Sequence, residues 1–82
     1  MKGEELQAIV RRALQRVAPE ANLDDLHGDE DLRDTLDLDS MDFNSFVLAL
    51  HEATQIDILE KDYPKFFTLN GCVHELGVRF QA

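Results

Sequence analysis

Eighty-two residues make room for one small hydrophobic core, so a single domain over residues 1–82 is expected. Apolar residues at 44% are enough to pack that core even without Trp, which excludes global disorder. Seventeen acidic residues against eight basic ones, a formal charge of −9, exclude nucleic acid and anionic membranes as partners and favour basic protein surfaces.

A core this small leaves little space for an enclosed active site, so a binding, carrier or adaptor role is favoured over catalysis. The first residues, MKGEELQAIV, turn charged at once, and neither a signal peptide nor a membrane span is expected there. The single Cys72 excludes an internal disulfide and suits a reducing cytoplasm, the expected location.

From Glu4 to Val17 the apolar residues Leu6, Ile9, Val10, Ala13, Leu14 and Val17 trace one stripe at helical period. Glu4 and Glu5 suit the start of that helix dipole and Arg11, Arg12 and Arg16 its second half, and Pro19 stops it. Residues 19 to 39 read as a long ordered loop, because closely spaced carboxylates disfavour a continuous helix. Leu23, Leu26, Leu32, Leu36 and Leu38 recur through the acid and are expected to pin the loop to the core. A loop of this length in a compact domain tends to be functional.

A second helix is expected from about Ser40 to Thr54, with Ser40 as its cap and Asp42 favourable in its first turn. Phe43, Phe46, Val47, Leu50 and Ala53 form its inward face. Met41 and Leu48 share a different azimuth and either meet the loop leucines or form an exposed contact surface. Ile56 and Ile58 alternate around Asp57 in a short extended piece, and Pro64 can start a short helix. The last helix is expected to start at Thr68, whose hydroxyl can cap it, and to end at Gly77, with Leu69, Cys72, Val73 and Leu76 inward. The fold class is therefore all-α: a four-helix bundle with three main helices, a short third helix and a long loop between the first two.

His27, His51 and His74 lack metal-ligand spacing, and the acidic run GDEDLRD lacks the order of a calcium loop, so no metal site is expected. Cys72 sits at an inward helical position and reads as a core residue, not a nucleophile. Ser40 remains: a serine at the start of a helix, after a long loop, is exposed and fixed in direction. A phosphate attached there would lie close to free helix N–H groups.

The stretch LDLDSMDFNSFVLALHEATQIDI resembles the attachment region of the acyl carrier protein family, whose Asp-Ser-Leu or Asp-Ser-Met motif begins the second helix. Here the motif is Asp39-Ser40-Met41, and the likeness extends to the leucine-studded acidic loop and the Ile56–Ile58 turn. The resemblance implies that Ser40 receives 4′-phosphopantetheine from coenzyme A through a phosphopantetheinyl transferase. It implies a monomeric, non-catalytic carrier of acyl thioesters in fatty acid, lipid or polyketide-type metabolism. Its partners would be acyl-loading and acyl-using enzymes with basic docking surfaces. It further assigns partner contact to Asp39, Met41, Asp42, Leu48 and Glu52, and a possible acyl pocket to Phe46, Leu50, Ile58 and Leu76. Ser45 and His51 stand where family members commonly carry acid, and Phe43 and Asn44 are also atypical. An aminoacyl or peptidyl carrier working with an adenylating enzyme is therefore the alternative, followed by an unmodified acidic interaction module.

Overall fold

The computed structural model describes residues 2–81, so Met1 and Ala82, the ends of the expected domain, lie outside it. Three long helices carry the bundle: α1 (Gly3–Val17), α3 (Ser40–Thr54) and α4 (Leu69–Gln81), with a one-turn α2 (Leu32–Thr35) before α3. Two 3₁₀ segments, Leu23–Asp25 and Glu60–Phe66, complete the order, so the expected all-α bundle forms. The short helical element after α3 is the 3₁₀ segment, which starts four residues before Pro64 instead of at it.

Helix α1 packs against both α3 and α4, and α4 against the 3₁₀ segment. Val10, Leu14, Leu32, Phe46, Leu50, Phe66, Cys72 and Leu76 are completely inaccessible and draw on every part of the chain. Four loop leucines, Leu23, Leu26, Leu32 and Leu38, are buried in the same core, with Leu36 packed against it. The acidic loop is thus pinned as its leucines require. Asn and Asp side chains organise short turns in it: the Asn22 amide Oδ1 accepts from Asp24 N–H at 3.1 Å, and the Asp31 carboxylate Oδ1 from Arg33 N–H at 2.9 Å. On α3, Ala53 was expected inward but is exposed in the last turn, and Ala49 is buried one turn earlier.

The end of α4 differs from the expected stop at Gly77, which lies inside the helix. Nothing among residues 78–80 opposes helix, and Arg79 anchors this last part through Asp62 at 3.2 Å while lying over the Phe66 ring. The Arg79 guanidinium, helped by Lys65, holds the Asp62 carboxyl below its usual range. A Cβ added at Gly77 would meet only Leu6 Cδ1 at an ordinary 3.5 Å. Gly77→Ala is therefore expected to raise stability by about 0.5–1 kcal/mol, read as a higher urea midpoint. A helix-terminating glycine would give the opposite sign.

The start of α4 is as expected, since Thr68 Oγ1 accepts from the Gly71 N–H at 2.9 Å. Gly71 is there for space: a Cβ at this position would run into the backbone carbonyl of Lys65. A carbonyl cannot step aside as a flexible side chain can, so Gly71→Ala is expected to cost about 1–3 kcal/mol by the same measurement. Cys72 donates to the Phe66 carbonyl at 3.3 Å, and burial pushes its thiol up to about 12, which makes it a core residue.

Candidate functional site

The approach to α3 is built in three steps. Leu38 is buried and donates its N–H to the Arg33 carbonyl at 2.9 Å, which fixes the end of the loop. Asp37 sits in left-handed geometry at φ 53°, a conformation that Asp tolerates and that turns the chain from α2 into α3. Asp39 is extended, and its Oδ1 accepts from the Asp42 N–H at 2.8 Å while Asp42 Oδ2 accepts from the Asp39 N–H at 3.4 Å. This reciprocal capping box satisfies two backbone donors.

The cap is therefore Asp39, and the expectation that Ser40 caps the helix is corrected. Ser40 is the first helical residue, and it is exposed. Its hydroxyl has no hydrogen-bond partner among the described residues, while the two flanking carboxylates serve the backbone. Asp39 and Asp42 hold the helix start as well as placing charge beside the serine.

Ser40 lies on the lining of an open groove of about 440 Å³, shared with Arg33, Met41, Phe43, Asn44, Glu60, Tyr63 and Phe67. Phe43 is the hub of its aromatic floor, with ring centroids 5.3 Å from Phe67, 5.6 Å from Tyr63 and 5.7 Å from Phe46. Tyr63 donates to Asn44 Oδ1 at 2.9 Å, which ties the 3₁₀ segment to α3 across the groove. The Arg33 guanidinium lies 3.5 Å from the Phe67 ring centre and donates to Asp31 at 2.8 Å. Its hydrogen bonds lower the Asp31 carboxyl below its ordinary 3.8. Arg33, Asn44, Tyr63 and Phe67 were not singled out as groove residues from the sequence. They come from three separate segments, and no periodicity links them.

The other candidate residues fall into three places. Met41 is 78% exposed and Leu48 55%, so this pair does not meet the loop leucines. With Ser45 and Glu52 they make one exposed stripe along α3, spaced i, i+4, i+7, i+11, and Glu52 pairs with Arg16 of α1 at 3.2 Å. Phe46, Leu50 and Leu76 are wholly buried in the core, whereas Ile58 is half-buried and lines a different groove of about 340 Å³ beside Leu48 and His51. These four residues do not line one cavity. His51 Nδ1 lies 2.9 Å from the Ile56 carbonyl, a helix-end contact, and no group of three or more metal-ligating side chains forms among the described residues. No helix among them is long and apolar enough to cross a membrane.

The Ser40 hydroxyl is thus uncommitted, at the start of a capped helix and beside an open groove. A family model described as the phosphopantetheine attachment site matches residues 4–64, and the chain belongs to that family. It is thus a phosphopantetheine-carrying domain, of the kind that phosphopantetheinyl transferases modify with covalent 4′-phosphopantetheine. The match covers α1 through most of the second 3₁₀ segment and leaves α4 outside. No curated protein and no solved structure matches the chain significantly.

Proposed function

We propose that this chain is an acyl carrier protein that bears its 4′-phosphopantetheine arm on Ser40 and hands acyl thioesters to partner enzymes. The observation that carries the reading is the Ser40 hydroxyl: exposed, free of hydrogen bonds among the described residues, and inside the stretch matched by the attachment-site model. The adjoining groove suits an attached arm, since it offers room of ligand size with Ser40 on its lining. The bound group supplies the thiol that holds and activates an acyl group as a thioester. The protein's share is presentation, because the capped helix fixes where Ser40 sits, and the chain is read as a non-catalytic, monomeric, cytoplasmic carrier. The exposed stripe through Met41, Leu48 and Glu52, flanked by Asp39 and Asp42, is the surface offered to basic enzymes.

The test is incubation with coenzyme A and a broad-specificity phosphopantetheinyl transferase, followed by intact-mass measurement. A gain of one phosphopantetheine that disappears in Ser40→Ala supports the reading. No gain with several transferases rejects it in favour of an unmodified interaction module. A second reading, an aminoacyl or peptidyl carrier, is favoured by the sparse acidity of the exposed α3 stripe, where Ser45 stands and Glu52 is already paired with Arg16. Charging the modified protein through adenylating enzymes separates the two carriers.

A further inference from the structure

We infer that Phe43 closes the interior of the bundle to the cargo and seats it outside, in the groove beside Ser40, so that this carrier takes short or flat, uncharged acyl groups. The inference rests on Ser40 being the attachment residue. From the groove, the way into the core around Phe46 runs through Phe43, which lines the groove on one side and packs on the Phe46 ring on the other. Phe43 is 4% exposed and is held edge-on by Tyr63 and Phe67, so a chain entering there must displace it from three aromatic partners at once.

Behind Phe43 the space is taken. Phe46, Leu50 and Leu76 are completely inaccessible and line neither the groove beside Ser40 nor the one beside Ile58. The outside, by contrast, has room for a flat or small apolar group. The planar Arg33 guanidinium is exposed and laid over the Phe67 ring, and half-buried Tyr63 and Phe67 complete the wall above the buried Phe43. The Arg33 charge is already matched by Asp31 at 2.8 Å, and Glu60 adds a negative charge to the lining, so the groove suits uncharged groups better than carboxylated ones.

The experiment loads the full chain through a transferase from acetyl-, butyryl-, benzoyl- and decanoyl-coenzyme A and checks each product by intact mass. Methyl and aromatic NMR spectra and thermal melts are then recorded. The expected result is that butyryl and benzoyl groups move the resonances of Phe43, Tyr63 and Phe67. The Leu50 and Leu76 methyls stay fixed in every loaded form, and the melting temperature is independent of chain length. In Phe43→Ala the decanoyl form is expected to move the Leu50 and Leu76 methyls and to melt above the acetyl form. Phe43→Leu, which keeps more of the volume, serves the same comparison if the alanine variant does not fold. Leu50 and Leu76 shifts that grow with chain length in the unmodified sequence overturn the inference, as does a groove that responds to no cargo. Failure of loading in the mass spectrum instead removes the carrier reading itself, so the two failures are told apart.

Discussion

Phe46→Ala is expected to lower the free energy of unfolding by about 3–5 kcal/mol, among the largest stability effects of a single truncation in this domain. Phe46 is completely inaccessible and joins the α3 side of the core to the aromatic cluster through Phe43, 5.7 Å away between ring centroids. Its removal forfeits the buried ring area and leaves a hole that the surrounding helices fill only in part. A domain of this length holds roughly 4–12 kcal/mol in total, so the variant is expected to be partly unfolded without denaturant. Urea unfolding followed by circular dichroism measures it, with the denaturant slope checked so that a change in midpoint reflects stability. Met41→Ala is the control: at 78% exposure it is expected to stay within about 0.5 kcal/mol of the parent. A small shift for Phe46→Ala would mean that the core relaxes around the loss and that packing in this bundle is loose.

What was legible in the sequence follows from which signals were local. Helix α3 runs from Ser40 to Thr54 as its apolar spacing requires, and α1 ends at Val17 just before Ala18 and Pro19. The buried loop leucines were readable because apolar residues amid so many carboxylates have few places to go other than a core. Gly77 misled because glycine serves two purposes, and what decides between them is tertiary. Arg79 reaches Asp62 across the bundle, a contact invisible in a window around residue 77. Gln55 at φ 61° ends α3 in left-handed geometry, although nothing in its side chain announces it.

The site was half legible. Asp39 and Asp42 stand three apart, the spacing of a capping box, yet Ser40 between them is an equally ordinary cap, and only backbone geometry separates the two. The groove was hidden for another reason. Its lining joins Arg33 from α2 and Tyr63 and Phe67 from beyond α3, brought together by the Leu32 N–H donating to the Phe67 carbonyl at 2.7 Å. The dense acid of the loop also has a more specific use than solubility: the Asp31 carboxylate is committed to Arg33 and keeps that cation folded over Phe67. Because the Asp31 carboxyl is lowered in the folded state, its contribution is present above the ordinary pKa of 3.8 and fades as the pH falls below it.

Ser40→Ala is expected to abolish phosphopantetheine attachment completely while leaving stability within about 0.5 kcal/mol, and Asp39→Ala is expected to do nearly the reverse. Asp39 carries the cap, so its loss frees the Asp42 N–H and breaks the reciprocal bond; the cost is about 1 kcal/mol, within a range of roughly 0.5–2. The Ser40 hydroxyl is still present in that variant, so attachment is expected to proceed, but more slowly, because the first turn that carries Ser40 is loosened and a negative charge beside it is gone. Urea midpoints paired with intact-mass time courses separate the two residues. Equal destabilisation by both variants would mean that the serine hydroxyl shares in capping. A division of labour matters for chemistry at this oxygen: once esterified, a hydroxyl can no longer donate, so a helix start that depended on it would weaken whenever the arm was attached. With the cap lodged in Asp39 and Asp42, the start of α3 does not depend on the Ser40 hydroxyl and would be held the same way before an arm is attached there and after it.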